Sequence, residues 1–232
     1  MAARLKRIYT ALSRYRRSKG FGIHSPFAFH FVLCVLREKA QYYAYSPLTE
    51  IRRATAGSLR KTASKQKIPS EKTLRIIFKV TNHFNPQHIS VVGTGTGLEA
   101  TAALLVNKAS TATIYKDKRE NSPQEWALTK FGERCAIAEF PQDWQNRKIT
   151  EESTFTLITD IADDQIETVC KILSADNKGV IIFSNMSHNK ASYTLWKTLT
   201  ENSEFGMSFT NGKLGIFVRS SKLPHQHYRL WF

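Results

Sequence analysis

Residues 88–99 read His88-Ile89-Ser90-Val91-Val92-Gly93-Thr94-Gly95-Thr96-Gly97-Leu98-Glu99. A short β-branched run enters three glycines at alternate positions, and Leu98 to Asn107 continues at helical periodicity. The stretch therefore reads as strand, tight turn and helix. Glycines at such a turn permit left-handed backbone and close approach of a ligand, while the helix start beyond offers free N–H groups and a positive dipole end. A dinucleotide fingerprint, Gly-x-Gly-x-x-Gly, would need glycine where the chain has Leu98. The spacing is Gly-x-Gly-x-Gly instead.

Downstream the alternation repeats. Thr111–Lys116, Cys135–Ala138, Thr154–Asp160 and Gly179–Phe183 read as strands, and Pro123–Phe131, Asp164–Leu173 and Ser192–Glu201 as helices. Phe205–Thr210 and Lys213–Val218 flank Asn211-Gly212, a strong hairpin signal. Strands alternating with helices imply a parallel sheet covered on both faces. The expected class is α/β: a Rossmann-like, doubly wound mixed sheet of about seven strands with a C-terminal antiparallel hairpin.

Upstream the chain changes character. Of 34 Lys/Arg and 19 Asp/Glu, residues 1–79 hold 18 and 3, so the whole net charge of +15 sits in the first third. Leu5, Ile8, Tyr9, Leu12 and Tyr15 recur at helical spacing among seven cations, and Gly20 and Gly22 end that helix. The segment lacks a secretory h-region. A transit peptide shares its composition, but the equally basic segments that follow favour a helix of the mature fold. Ser25-Pro26, Ser46-Pro47 and Ser70-Glu71 open three more helices, the first carrying the apolar run Phe27–Leu36. The chain thus divides into a basic helical extension, 1–79, and an α/β core, 80–232.

The excess charge admits a nucleic acid or an anionic surface as partner of residues 1–79, or simply a solvated basic face. No apolar run approaches the roughly 18 residues of a membrane span. Cys34, Cys135 and Cys170 have neither disulfide-framework nor zinc spacing, which fits a reducing compartment and a cytoplasmic protein.

The glycine spacing at the first strand–helix turn resembles motif I of class I S-adenosylmethionine-dependent methyltransferases. The layout of the chain resembles a bacterial O-methyltransferase-like group with a basic helical N-terminal extension and an HSPF-type motif, matched by His24-Ser25-Pro26-Phe27, then a tyrosine segment, Tyr42-Tyr43-Ala44-Tyr45. The resemblance implies S-adenosylmethionine as cofactor and a small-molecule acceptor methylated on oxygen or nitrogen. Gly93, Thr94, Gly95 and Gly97 would shape the cofactor pocket, Asp117 would meet the ribose hydroxyls, and Asp160 and Asn185 would lie beside the sulfonium and acceptor.

Departures from the family pattern favour a different class, a degenerate methyltransferase fold kept as a binding or scaffold module acting through its basic third. The acidic residue expected two positions before Gly93 is Val91. At the second-strand end Lys118 competes with Asp117 for the ribose position. In the family's magnesium site Asp160 and Asn185 match, but Ser184 replaces a carboxylate, so no metal is expected. Lys116, Lys118 and Arg119 lend slight support to an NADP-binding oxidoreductase, which Leu98 opposes.

The remaining polar candidates have structural readings beside the chemical ones. Asp163 and Asp164 suit a helix cap better than a ligand set. His188 is either a general base or a loop histidine, His24 a cap or a pocket-mouth residue, and the tyrosines either stack on substrate or pack between extension and core. His225 and His227 lack metal-site partners.

Overall fold

The first central strand, β1 (His88–Val92), sends Ile89 and Val91 into one apolar layer and Val92 into another. The same alternation places Ala112 and Ile114 opposite Tyr115 in β2 (Thr111–Lys116), and Val180 and Ile182 opposite Ile181 and Phe183 in β5 (Gly179–Phe183). Both faces of the sheet are therefore covered, which is why these strands read as continuous apolar runs. The computed structural model describes residues 11–61, 66–117, 129–146, 154–176 and 178–232.

With β3 (Cys135–Glu139), β4 (Thr154–Ile158), β6 (Met207–Thr210), β7 (Gly215–Arg219) and β8 (Gln226–Arg229), the sheet has eight strands in the order β3-β2-β1-β4-β5-β7-β6-β8. β1 to β5 run parallel. β7 is antiparallel to β5 and β6, and β8 is parallel to β6. The hairpin forms at Asn211-Gly212, where Asn211 Oδ1 accepts from the Lys213 and Leu214 N–H groups and Gly212 takes φ 90°. The eighth strand is an addition to the expected seven. Its residues, Gln226-His227-Tyr228-Arg229, bury only Tyr228, as suits an edge strand.

The helices are α1 (residues 11–18), α2 (Pro26–His30), α3 (Tyr45–Lys61), α4 (Glu71–Phe84), α5 (Leu98–Leu104), α6 (Gln142–Gln145), α7 (Ile166–Ala175) and α8 (Lys190–Glu201). Ser25 caps α2 by accepting from the Ala28 N–H, and Ser70 caps α4 by accepting from the Thr73 N–H. The apolar run after Pro26 is not one regular helix: Phe31–Leu36 widens into a π-helix, which presents Phe31, Val32, Val35 and Leu36 all inward. A short 3-10 turn, Asp163–Gln165, precedes α7. It is capped by Gln165 Oε1 on the Ala162 N–H, and Asp163 and Asp164 stay exposed.

α2, the π-helix and α4 bury into the same core layer as α5 and the sheet, with Phe31, Leu74 and Ile77 among Ile89, Ala112 and Phe209. They cover a face of the sheet. On α1 the described part of the apolar stripe does not dock. Leu12 and Tyr15 are exposed, whereas Ser18 is buried, accepting from the Trp231 N–H and holding the Arg37 guanidinium on its carbonyl. Leu5, Ile8, Tyr9, Lys118, Arg119 and most of the helix expected over Pro123–Phe131 lie outside the described residues, although 129–134 form a 3-10 turn. Among the described residues no helix is long and apolar enough to cross a membrane.

Candidate active site

Register builds the site. Val92 pairs with Tyr115 and Ile158, and Ile158 pairs with Phe183, so β1, β2, β4 and β5 end nearly level. Because the chain winds from β1 to β2 and β3 on one side and places β4 on the other, β1 and β4 flank the topological switch point, where open α/β sheets bind ligands. The residues next along are Gly93 and the glycine turn, Thr159-Asp160, and Ser184-Asn185.

The glycine turn leans directly on the end of β4. The Thr94 N–H donates to the Asp160 carbonyl at 2.8 Å, and the Thr94 hydroxyl donates to the same oxygen at 3.1 Å. A methyl group on Gly93 would stand 2.6 Å from that carbonyl oxygen, and one on Gly95 would stand 2.9 Å from Thr159 Cβ. Gly93 has φ 105° and Gly97 φ 75°, in the left-handed region. Two of the three glycines are thus required by the neighbouring strand. Thr159 completes the join, its N–H and its hydroxyl both donating to the Val92 carbonyl.

Asp160 and Asn185 come together. Asn185 Nδ2 donates to Asp160 Oδ1 at 2.8 Å, and Asn185 holds φ 61°, a left-handed conformation that asparagine tolerates. Burial raises the Asp160 carboxyl above its ordinary range. The Asn185 hydrogen bond and the His188 charge partly offset this. Asp160, Asn185, Thr94 and the exposed His188 line an open cleft of about 480 Å³, with Gln66 and Lys67 on its far wall. Gln66 Nε2 donates to the Thr94 carbonyl, so a residue from ahead of α4 touches the glycine turn. Asp117 stands immediately past the last residue of β2, half-buried.

Sequence reasoning missed Glu99. It lies in the first turn of α5, is 3% exposed, and accepts the Ser184 hydroxyl on Oε1 at 2.8 Å while Oε2 has no partner among the described residues. Burial pushes its carboxyl up to about 7, against the Ser184 hydrogen bond and its own backbone N–H, and the Asp160 charge adds to the rise. The signal was present: Glu99 is the one charged residue in Leu98-Glu-Ala-Thr-Ala-Ala-Leu104, a helix buried along its whole length. Val91 points into the apolar layer, 2% exposed. Among the described residues no three His, Cys, Asp or Glu side chains converge as a metal site.

Elsewhere, Tyr42 and Tyr45 pack on Phe78, and Tyr43 is exposed. His24 is exposed beside the Ser25 cap. His225 and His227 bond the Thr200 carbonyl and Ser208 at the far edge of the sheet.

Solved structures share this architecture. An SAH-bound methyltransferase from Podospora anserina superposes over 87% of this chain and 98% of its own, at 13% identity and TM-score 0.57. A methyltransferase from Geobacter sulfurreducens covers 85% and 98%, at 14% identity and TM-score 0.54. An O-methyltransferase from Bacillus cereus in complex with SAH covers 81% and 96%, at 10% identity and TM-score 0.54. The chain has the O-methyltransferase fold. Neither family models nor curated proteins match its sequence. Within the methyltransferase fold, the glycine turn and Asp160 occupy the carboxyl-end crevice between β1 and β4.

Proposed function

We propose that the protein transfers a methyl group from S-adenosylmethionine to an oxygen or nitrogen of a small acceptor. The observation that carries this reading is the junction at Asp160. Its backbone carbonyl anchors the glycine turn while its carboxylate, held by Asn185, faces the cleft. The residues fit the cofactor through the glycine turn, within which the Thr96 hydroxyl is buried without a partner among the described residues. Gly93, Thr94, Gly95 and Gly97 would wall the pocket, and Asp117 would accept from ribose hydroxyls. Bound S-adenosylmethionine supplies an electrophilic methyl group. Asp160 would take the acceptor's proton, its carboxyl being raised by burial toward a more basic range. Asn185 fixes that carboxylate, and the cleft walls align the acceptor for in-line transfer. Three free thiols, with Cys34 exposed, support a reducing, cytoplasmic setting.

Calorimetric titration with S-adenosylmethionine and SAH tests the reading. Micromolar binding, weakened about tenfold in Asp117→Ala, is expected, followed by turnover in an acceptor screen. Absence of heat at about 100 μM protein would sink it. A second reading, a catalytically degenerate module acting on an anionic partner through residues 1–79, draws support from buried Val91 and from a Ser184 hydroxyl spent on Glu99. It gains if cofactor binding fails while the folded protein retains an anionic ligand.

A further inference from the structure

On the other side of the α4 start lies a larger cleft, about 700 Å³, that shares no lining residue with the one at Asp160. The turn after the π-helix, the first turns of α4 and the residues Trp231-Phe232 enclose it. Its volume falls in the range of ligand sites, roughly 300–1,000 Å³.

Its charge is unbalanced. Arg37, Lys39, Lys72, Arg75 and Lys79 line it against Glu38 and Glu71. Both carboxylates are already committed. Glu38 accepts from the Tyr42 hydroxyl at 2.7 Å, and Glu71 accepts from Thr49 and pairs with Arg75, whose guanidinium also lies over the Tyr45 ring. Lys39 and Lys72 are exposed and form no hydrogen bond or ion pair among the described residues. Lys79 is buried, donating to the Leu36 and Glu38 carbonyls; burial disfavours its charge, the Glu38 carboxylate opposes that, and Lys72 adds to it. Like charges crowded around a cavity are relieved by an anion, and the start of α4 adds the positive end of a 14-residue helix.

The remaining wall is aromatic. Trp231 is 59% exposed although its backbone N–H is fixed on Ser18 Oγ at 2.6 Å. An exposed indole on an anchored backbone is a stacking platform for a flat ring. The cations converge on one cavity instead of forming a stripe, which suits a single small ligand better than a polymer.

We propose that this cleft binds a small phosphorylated molecule carrying a flat ring, of the nucleotide class, with its phosphates on Lys39 and Lys72 and its ring on Trp231. The assignment is independent of methyl transfer.

The test is calorimetric titration of the full chain with ATP, in saturating SAH so that the glycine-turn cleft cannot account for the heat. Inorganic pyrophosphate serves as the ring-free probe. ATP is expected to bind with Kd near 10 μM. The double variant Lys39→Gln/Lys72→Gln should weaken both probes at least tenfold. Trp231→Ala should weaken ATP about fivefold and leave pyrophosphate unchanged. All three positions are exposed, and an unchanged thermal midpoint verifies folding. No heat with either probe at about 100 μM protein, or equal affinity in the double variant, overturns the site. Binding to phosphatidylglycerol vesicles or to a short RNA with no ATP binding also overturns it, in favour of a surface partner.

Discussion

Ser184 Oγ donates to Glu99 Oε1 at 2.8 Å beneath the glycine turn, joining the end of β5 to the first turn of α5 inside the core. The pair leaves Glu99 Oε2 buried without a partner among the described residues. One hydroxyl and the residue's own backbone N–H do not hold a buried carboxylate ionised, and the group stays protonated toward neutrality.

That state has a signature in stability. The Glu99 carboxyl is raised from 4.5 to about 7 in the fold. The folded chain therefore binds more protons than the unfolded chain between these values. The stabilisation is full below about 4.5 and is lost as pH rises through about 7, by on the order of 3 kcal/mol. Glu99→Gln keeps an acceptor for Ser184 and cannot ionise. Urea unfolding at pH 5 and pH 8 should show a smaller stability loss across that interval in the variant. An identical loss in both proteins would mean that Glu99 is not the titrating group.

The glycine turn makes a second, opposed demand. Gly93→Ala forces a methyl group to within 2.6 Å of the Asp160 carbonyl oxygen at φ 105°, and Gly95→Ala meets Thr159. Each should cost about 1–3 kcal/mol in unfolding free energy, Gly93→Ala the more, since backbone cannot yield as a side chain can. Loss of ligand binding with stability intact would show that the ligand alone requires these glycines.

How much of this was legible follows from period and burial. β1, β2 and β5 are rich in β-branched residues, and their bounds in the structure coincide with those expected from the sequence, as does the Asn211-Gly212 hairpin. β8 was hidden because an edge strand parallel to β6 needs only Tyr228 in the core. The π-helix was hidden because Phe31–Leu36 is apolar on all sides, so periodicity cannot distinguish the wider turn. At the site, Asp160 and Asn185 were singled out by the family resemblance, and they stand just past β4 and β5. The partnership of Glu99 with Ser184 spans 85 residues and is set by register from β1 through β4 to β5, which local sequence does not encode.

Lys79 tests how the first helices are tied to the rest. The residue is 7% exposed, and its ammonium holds the Leu36 and Glu38 carbonyls at 2.8 and 3.1 Å, closing the end of the π-helix. Lys79→Met keeps much of the buried stem and removes both charge-assisted bonds, leaving those carbonyls without this donor. A loss of about 2–4 kcal/mol is expected from denaturant unfolding. A loss under about 0.5 kcal/mol would mean that water replaces the ammonium at no cost.

Asp160→Asn separates structure from chemistry. The bonds that hold the glycine turn go to the Asp160 backbone carbonyl, which the substitution leaves in place. Burial raises the carboxyl's pKa, so its folded form resists ionisation, and an amide removes that penalty at neutral pH. The variant should therefore unfold at an equal or higher midpoint and bind SAH within about threefold of the parent. Methyl transfer should fall by roughly 100-fold or more, because the group placed to accept the proton is gone. Transfer at the parental rate with the fold intact would remove Asp160 from the chemistry and leave the acceptor's proton to water or to His188. A fall in stability instead would place the carboxylate, and not only its backbone, among the bonds that build the turn.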